Sequence, residues 1–205
     1  YNHLLRARYK SDPGAPPWKC EPIEIIRVAY ETQGGRPTGS DVDFKDTYPA
    51  ELAEAVKLYF TGKAPEGVAY IQNKIENNPE RSAFHQAGKK LRKDITTVEQ
   101  LYKDGQGELG NNKPEKAAEP FTEALEIDEQ LVLGSKGASL APEQKKKELE
   151  KRLSYYRRNI QSDMAAACYA RGKDLMDRKD RRQACKVWKL GFSFWKGYTD
   201  LLRAV

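Results

Sequence analysis

The chain has 205 residues, with 36 Lys and Arg against 30 Asp and Glu and a formal charge of +6. This length suits one domain or one compact repeat array with a real buried core. No apolar run approaches the roughly 18 residues needed to cross a bilayer, and no signal-peptide pattern is visible.

The first 48 residues are rich in loop formers, with Pro13, Pro16, Pro17, Pro22 and Pro37 and with Gly34, Gly35 and Gly39. Prolines and glycines of this density keep helices short. The apolar run from Ile23 to Tyr30 (IEIIRVAY) is a candidate strand or helix start without an obvious partner. Residues 1–48 are therefore expected to form an extended arm packed on the remainder. Because the chain opens on Tyr1 rather than Met, a leader, anchor or further domain is expected upstream.

After Pro49 the pattern becomes helical, and residues 49–205 are expected to form one helical repeat domain. Apolar spacing predicts helices over Ala50 to Phe60, Val68 to Glu76, Ala83 to Gly105, Glu115 to Leu133, Pro142 to Arg178, and Arg182 to Ala204. Turn residues separate them: Thr61-Gly62-Lys63, Asn77-Asn78-Pro79, Asn111-Asn112-Lys113-Pro114 and Gly134-Ser135-Lys136-Gly137.

A repeat runs through these helices. Small residues recur twelve positions apart at Ala55/Gly67, Gly105/Ala117 and Gly172/Ala184, and four residues beyond each pair stands Ile71, Phe121 or Trp188. Small residues let two helix backbones approach, and a bulky residue one turn later fills the widening gap. Gly62, Asn112 and Lys179 occupy the same turn position, and Asp180 is a plausible N-cap for the helix that follows.

This arrangement resembles the tetratricopeptide (TPR) repeat. The second unit carries the pattern best through Leu101, Gly105, Ala117, Phe121 and Ala124, and the third through Gly172, Leu175, Ala184 and Trp188. The first has Ala55, Leu58, Gly67, Ile71 and Pro79, but Glu51 and Glu54 stand at expected apolar positions. Successive units start 50 and then 67 residues apart, against a family period of about 34. Long helices must therefore be inserted near Ala83 to Val98 and Pro142 to Met164. The resemblance implies an all-α, TPR-like right-handed superhelix of antiparallel helix hairpins preceded by the extended arm.

The resemblance also implies a groove lined by first helices, where peptides dock. Its positions fall on Leu52, Val56 and Tyr59; on Glu99, Tyr102, Gln106 and Leu109; and on Ala166, Tyr169, Lys173 and Met176. We expect Tyr59, Tyr102, Gln106, Tyr169, Lys173 and Met176 to meet a partner, with burial under the inserted helices as the competing outcome. Leu52, Val56, Ala166 and Ala170 replace the polar residues with which chaperone-binding members grip a terminal carboxylate, so a tail clamp is not expected.

The charge is laid out unevenly. Residues 1–48 carry net 0, residues 49–133 net −4 and residues 134–205 net +10. Arg178, Lys179, Arg181, Arg182, Lys186 and Lys189 form a basic patch opposed by Asp177 and Asp180, suited to an acidic protein or an anionic surface. A nucleic-acid surface is the lesser reading, because no recognised reading module accompanies the charge, although Tyr155 and Tyr156 beside Arg157 and Arg158 could stack on bases or simply pack. The run Lys145 to Arg158 is interleaved with Glu143, Glu148 and Glu150, as a solvated helix face would be. Phe194, Trp195 and Tyr198 are expected to cap the array, with self-association as the alternative.

Catalytic signals are sparse. Gly105, Gly107 and Gly110 spell G-x-G-x-x-G, but a dinucleotide site needs a strand before it and a helix after it, and TTVEQLYKD has helical spacing. His85 has no carboxylate or cysteine at ligand-like spacing and reads as a surface or helix-start residue, while His3 lies in the arm. Cys20, Cys168 and Cys185 make an odd count, which leans towards a reducing compartment. Cys168 and Cys185 read as packed thiols, with a bridge between them left open and both cytoplasm and periplasm compatible. No metal, cofactor or catalytic constellation is expected. The expected role is a non-enzymatic scaffold that recruits a protein into an assembly, similar by analogy to TPR modules of bacterial envelope, secretion and motility machineries.

Overall fold

The computed structural model describes residue 44 and residues 47–77, 79, 82–198 and 200–201. The candidate strand at Ile23 to Tyr30, His3, Cys20 and nearly all of the expected arm lie outside the described residues. Among the described residues the fold is all-α and free of strands, with seven α-helices. These are α1 (Ala50–Phe60), α2 (Ala64–Glu76), α3 (Ala83–Gly110), α4 (Pro114–Leu133), α5 (Pro142–Lys151), α6 (Tyr155–Asp177) and α7 (Arg181–Phe194), with a 3-10 turn at Gly134–Ser139.

Three of the connections share one backbone geometry. Gly62 (φ 89°), Asn112 (φ 57°) and Lys179 (φ 65°) all lie in the left-handed region. Each closes its helix with the same pair of bonds: Gly62 N–H to Tyr59 O and Lys63 N–H to Leu58 O, both 2.9 Å. Asn112 and Lys113 repeat this to Leu109 and Glu108, and Lys179 and Asp180 to Met176 and Leu175. This is the Schellman closure, which satisfies the last carbonyls while the left-handed residue reverses the chain. The next helix then starts with Pro65 or Pro114 in its first turn, or with the Asp180 carboxylate accepting from Gln183 N–H at 3.2 Å.

The twelve-residue spacing marks close approaches between the paired helices. A Cβ at Gly67 would stand 3.0 Å from Ala55 O, while one at Gly105 would enter the Phe121 ring and one at Gly172 the Trp188 indole. Phe121, at 0% exposure, fills the space that Gly105 leaves.

α2 starts at Ala64 rather than the expected Val68 and α3 runs on to Gly110 rather than Gly105, and two further boundaries differ for identifiable reasons. The expected helix from Pro142 to Arg178 breaks at residues 152–154, where the buried Ser154 accepts from Arg157 N–H at 3.1 Å and starts α6. An N-cap side chain competes with helix continuation and favours a new start. α7 ends at Phe194, so the helix expected to run on to Ala204 is interrupted, with Trp195 in extended conformation and Asp200 and Leu201 helical again.

The described chain divides after Ile160 into two compact units. The first buries Leu52, Val56, Tyr59, Ile71, Ile95, Phe121 and Leu131. Phe44 joins it edge-on against Phe60 at 5.4 Å, and the Tyr48 hydroxyl donates to Leu131 O at 3.0 Å. The second buries Met164, Cys168, Val187, Trp188, Phe192 and Leu201. Among the described residues no helix is long and apolar enough to cross a membrane.

Candidate interaction faces

Two of the expected partner-binding side chains are turned inward by the first unit's own packing. Tyr59 is fully buried, its hydroxyl donates to Asp128 Oδ1 at 2.7 Å, and its ring stacks on Tyr156 at 5.1 Å. Tyr156 also meets Tyr102 edge-on at 5.4 Å, and Tyr155 lies over Gly62, where an added Cβ would come within 2.6 Å of the ring. Tyr59 is thus a core residue, and Tyr102, half-buried with its hydroxyl accepting from Gln106 Nε2 at 3.1 Å, lines the same cluster. Tyr155 and Tyr156 pack; the base-stacking alternative loses Tyr156 to burial.

Asp128 holds this cluster together. Its carboxylate is wholly buried and accepts from Tyr59, from the Ser154 hydroxyl at 2.5 Å and from Arg157 Nε at 2.7 Å. Arg157 also donates to Leu125 O at 2.7 Å. A buried charge persists only when paired and hydrogen-bonded, and here both carboxylate oxygens are occupied, which makes Asp128 a structural anchor. Burial, reinforced by the Asp128 carboxylate, pushes the Tyr59 phenol well above the usual tyrosine range. Arg157 belongs to this anchor, not to the solvated face expected for the basic run. The signal was present in α4, where Ala117, Phe121, Ala124, Asp128 and Leu131 share one apolar stripe: a carboxylate in that phase needs a buried cation.

The same register positions open progressively from hairpin to hairpin. Tyr59 is buried, Leu109 half-buried and Met176 36% exposed; Val56 is buried, Gln106 half-buried and Lys173 exposed. On the third hairpin Tyr169 is half-buried, with Lys173 Nζ 5.7 Å from its ring centroid and Tyr198 against it at 6.5 Å. Of the expected groove residues, Lys173 and Met176 are the exposed ones.

Arg178, Lys179, Arg181, Arg182, Lys186 and Lys189 are all exposed. Arg178 pairs with Asp174 at 3.2 Å. Arg182, Lys186 and Lys189 stand on one face of α7, and no carboxylate pairs with them among the described residues. Phe194, Trp195 and Tyr198 are half-buried, with Trp195 and Tyr198 5.6 Å apart, and Gly191 receives both Cys168 and Leu201.

The remaining chemical signals resolve structurally. The G-x-G-x-x-G glycines form the last turns of α3, with Gly105 against Phe121 and with Gly107 and Gly110 facing open space. No strand precedes them among the described residues, so the backbone cradle of a dinucleotide site is missing there. His85 does sit at a helix start, capped by Ser82, but it is buried rather than superficial, with Nδ1 3.1 Å from Ile75 O. Cys168 is a buried thiol, whereas Cys185 is disulfide-bonded, so the two are not bridged to each other and Cys185 is not a packed thiol. Among the described residues no cluster of His, Cys, Asp and Glu is arranged to hold a metal.

Comparison of the chain with protein-family models, curated proteins and solved structures returned no match.

Proposed function

We propose that the protein is a non-enzymatic, TPR-like helical scaffold that recruits a protein partner, and that recognition centres on the inward register of the third hairpin. The observation that carries this reading is the graded exposure of equivalent positions, buried at Tyr59, half-buried at Leu109 and open at Met176. Three hairpins with one turn geometry and one close-approach register support the TPR-like assignment. A face that combines Lys173, Met176 and the Tyr169 ring suits a mixed apolar and acidic peptide, since methionine adapts its shape and the lysine supplies charge.

The test is capture of partner protein by the wild type and by a Lys173→Glu, Met176→Glu double variant. Both positions are exposed, so the fold should survive, as judged by an unchanged melting curve. We expect the captured protein to be lost, and retention of the same protein at wild-type yield would sink the reading.

A second reading is favoured by the three cations on α7 that no carboxylate pairs with among the described residues: the third hairpin binds an anionic surface. Binding through phosphate neutralisation weakens steeply with salt. A salt-insensitive interaction that survives Arg182→Glu with Lys186→Glu would remove it.

A further inference from the structure

The outward faces of two second helices carry opposite charge at equivalent positions. Ala117 and Ala184, 67 residues apart, are the matching small residues of the second and third hairpins. In that register Glu115 corresponds to Arg182 and Glu119 to Lys186, while Phe121 corresponds to Trp188 and Ala124 to Gly191. The two packing positions keep their character, while the two exposed ones change sign.

The spacing matches as well. On α4, Glu119, Glu123 and Glu126 follow an i, i+4, i+7 pattern, with Glu115 one turn earlier. On α7, Arg182, Lys186 and Lys189 follow the same i, i+4, i+7 pattern. All seven side chains are exposed, and none has an ion-pair partner among the described residues. At about 1.5 Å rise per residue, each set of three spans roughly 10 Å on one helix face. Lys116 stands beside the acidic stripe and Asp180 caps the start of α7, but neither forms an ion pair with its stripe among the described residues.

We infer that these stripes are the two halves of one contact between copies of the chain, with α4 of one molecule lying along α7 of another. The inference rests on the second reading above, that the basic stripe is a binding face, and it names the occupant as the acidic helix of a second copy. Charge complementarity selects this occupant: the chain itself presents an acidic stripe with the spacing the basic one requires. Each copy offers one acidic and one basic stripe, so the contact joins unlike faces of two copies. Exposed ion pairs contribute little individually, which makes the association weak and sensitive to screening.

Sedimentation of the full chain tests this at about 50 mM and about 500 mM salt. At low salt the weight-average mass should rise with protein concentration, and at high salt it should fall to that of one chain. Glu119→Lys, Glu123→Lys, Glu126→Lys should abolish association, as should Arg182→Glu, Lys186→Glu, Lys189→Glu. Mixing the two triple variants should restore it, because each then presents the complement of the other, a recovery that misfolded variants would not give. A chain that stays monomeric at every concentration and salt overturns the inference, and so does association that both reversals leave intact. If only a polyanionic oligonucleotide binds, lost on reversing α7 while the wild type remains monomeric, the stripe is a nucleic-acid face and the self-contact is wrong.

Discussion

Arg157 and Asp128 meet at 2.7 Å in the interior of the first unit, with the carboxylate wholly buried and the arginine side chain 11% exposed. Removing the cation alone strands a charge that also organises Tyr59 and Ser154. Arg157→Ala is expected to cost about 3–5 kcal/mol, whereas replacing both partners together with Leu and Met removes the stranded charge and should cost less, even though the Tyr59 and Ser154 hydroxyls then lose their acceptor. Urea unfolding of the two variants at comparable m-value measures the difference. Equal losses would show that the pair is not the anchor.

Gly105 and Gly107 lie two residues apart in one motif and should respond oppositely to the same change. Gly105→Ala drives a methyl into the Phe121 ring and is expected to destabilise by about 1–3 kcal/mol. Gly107→Ala meets open space within α3 and should stabilise by about 0.5–1 kcal/mol. Denaturation midpoints decide it, and a nucleotide-binding loop would show no such split.

Lys179 holds φ 65° without being glycine. A side chain in the left-handed region costs about 1–2 kcal/mol, partly offset by glycine's greater unfolded-state freedom. Lys179→Gly is therefore expected to raise the melting temperature slightly. Asn112→Gly should be nearly neutral, since asparagine tolerates this region. Gly62→Ala should lower it, because the methyl is strained by φ 89° and collides with Tyr155.

Alkaline pH should unfold the first unit through its phenols. Burial, with Asp94 nearby, pushes Tyr48 up to about 12, and burial raises Tyr59 and Tyr156 as well. A phenol raised above the ordinary value of about 10 favours the folded state fully below that pH and loses its contribution as pH climbs through the folded value. Stability should hold to about pH 10 and then fall. Phenolate absorbance should show Tyr59 and Tyr156 ionising only together with loss of helical signal. If every tyrosine titrates near pH 10 with the helices intact, this electrostatic account is wrong.

Much of the fold was legible because its signals are local. The spacing of Ala55 to Gly67, Gly105 to Ala117 and Gly172 to Ala184 follows from a constant turn geometry, and Gly62, Asn112 and Lys179 share that geometry despite being three different residues. The helix break at residues 152–154 was not read, because a lone Ser154 amid charged residues looks like a solvated position until its hydroxyl meets Asp128. The expected partner-binding positions recur at equivalent places in their hairpins but differ in exposure, from Tyr59 buried to Met176 open. Register is a property of one hairpin, but exposure depends on what lies over it.

The amino-acid sequence alone determined the helical hairpins, their turns and close approaches, and the charge gradient, since each depends on residues within a few turns of one another. The tertiary structure alone decided that Tyr59 is sealed beneath Tyr156 while Met176 is open. The decisive contact, Arg157 on Asp128, joins residues 29 apart in sequence. Its cost without partners, and hence its burial with them, is fixed only when Tyr59, Leu125, Ser154 and Arg157 converge on one carboxylate and its neighbouring carbonyl.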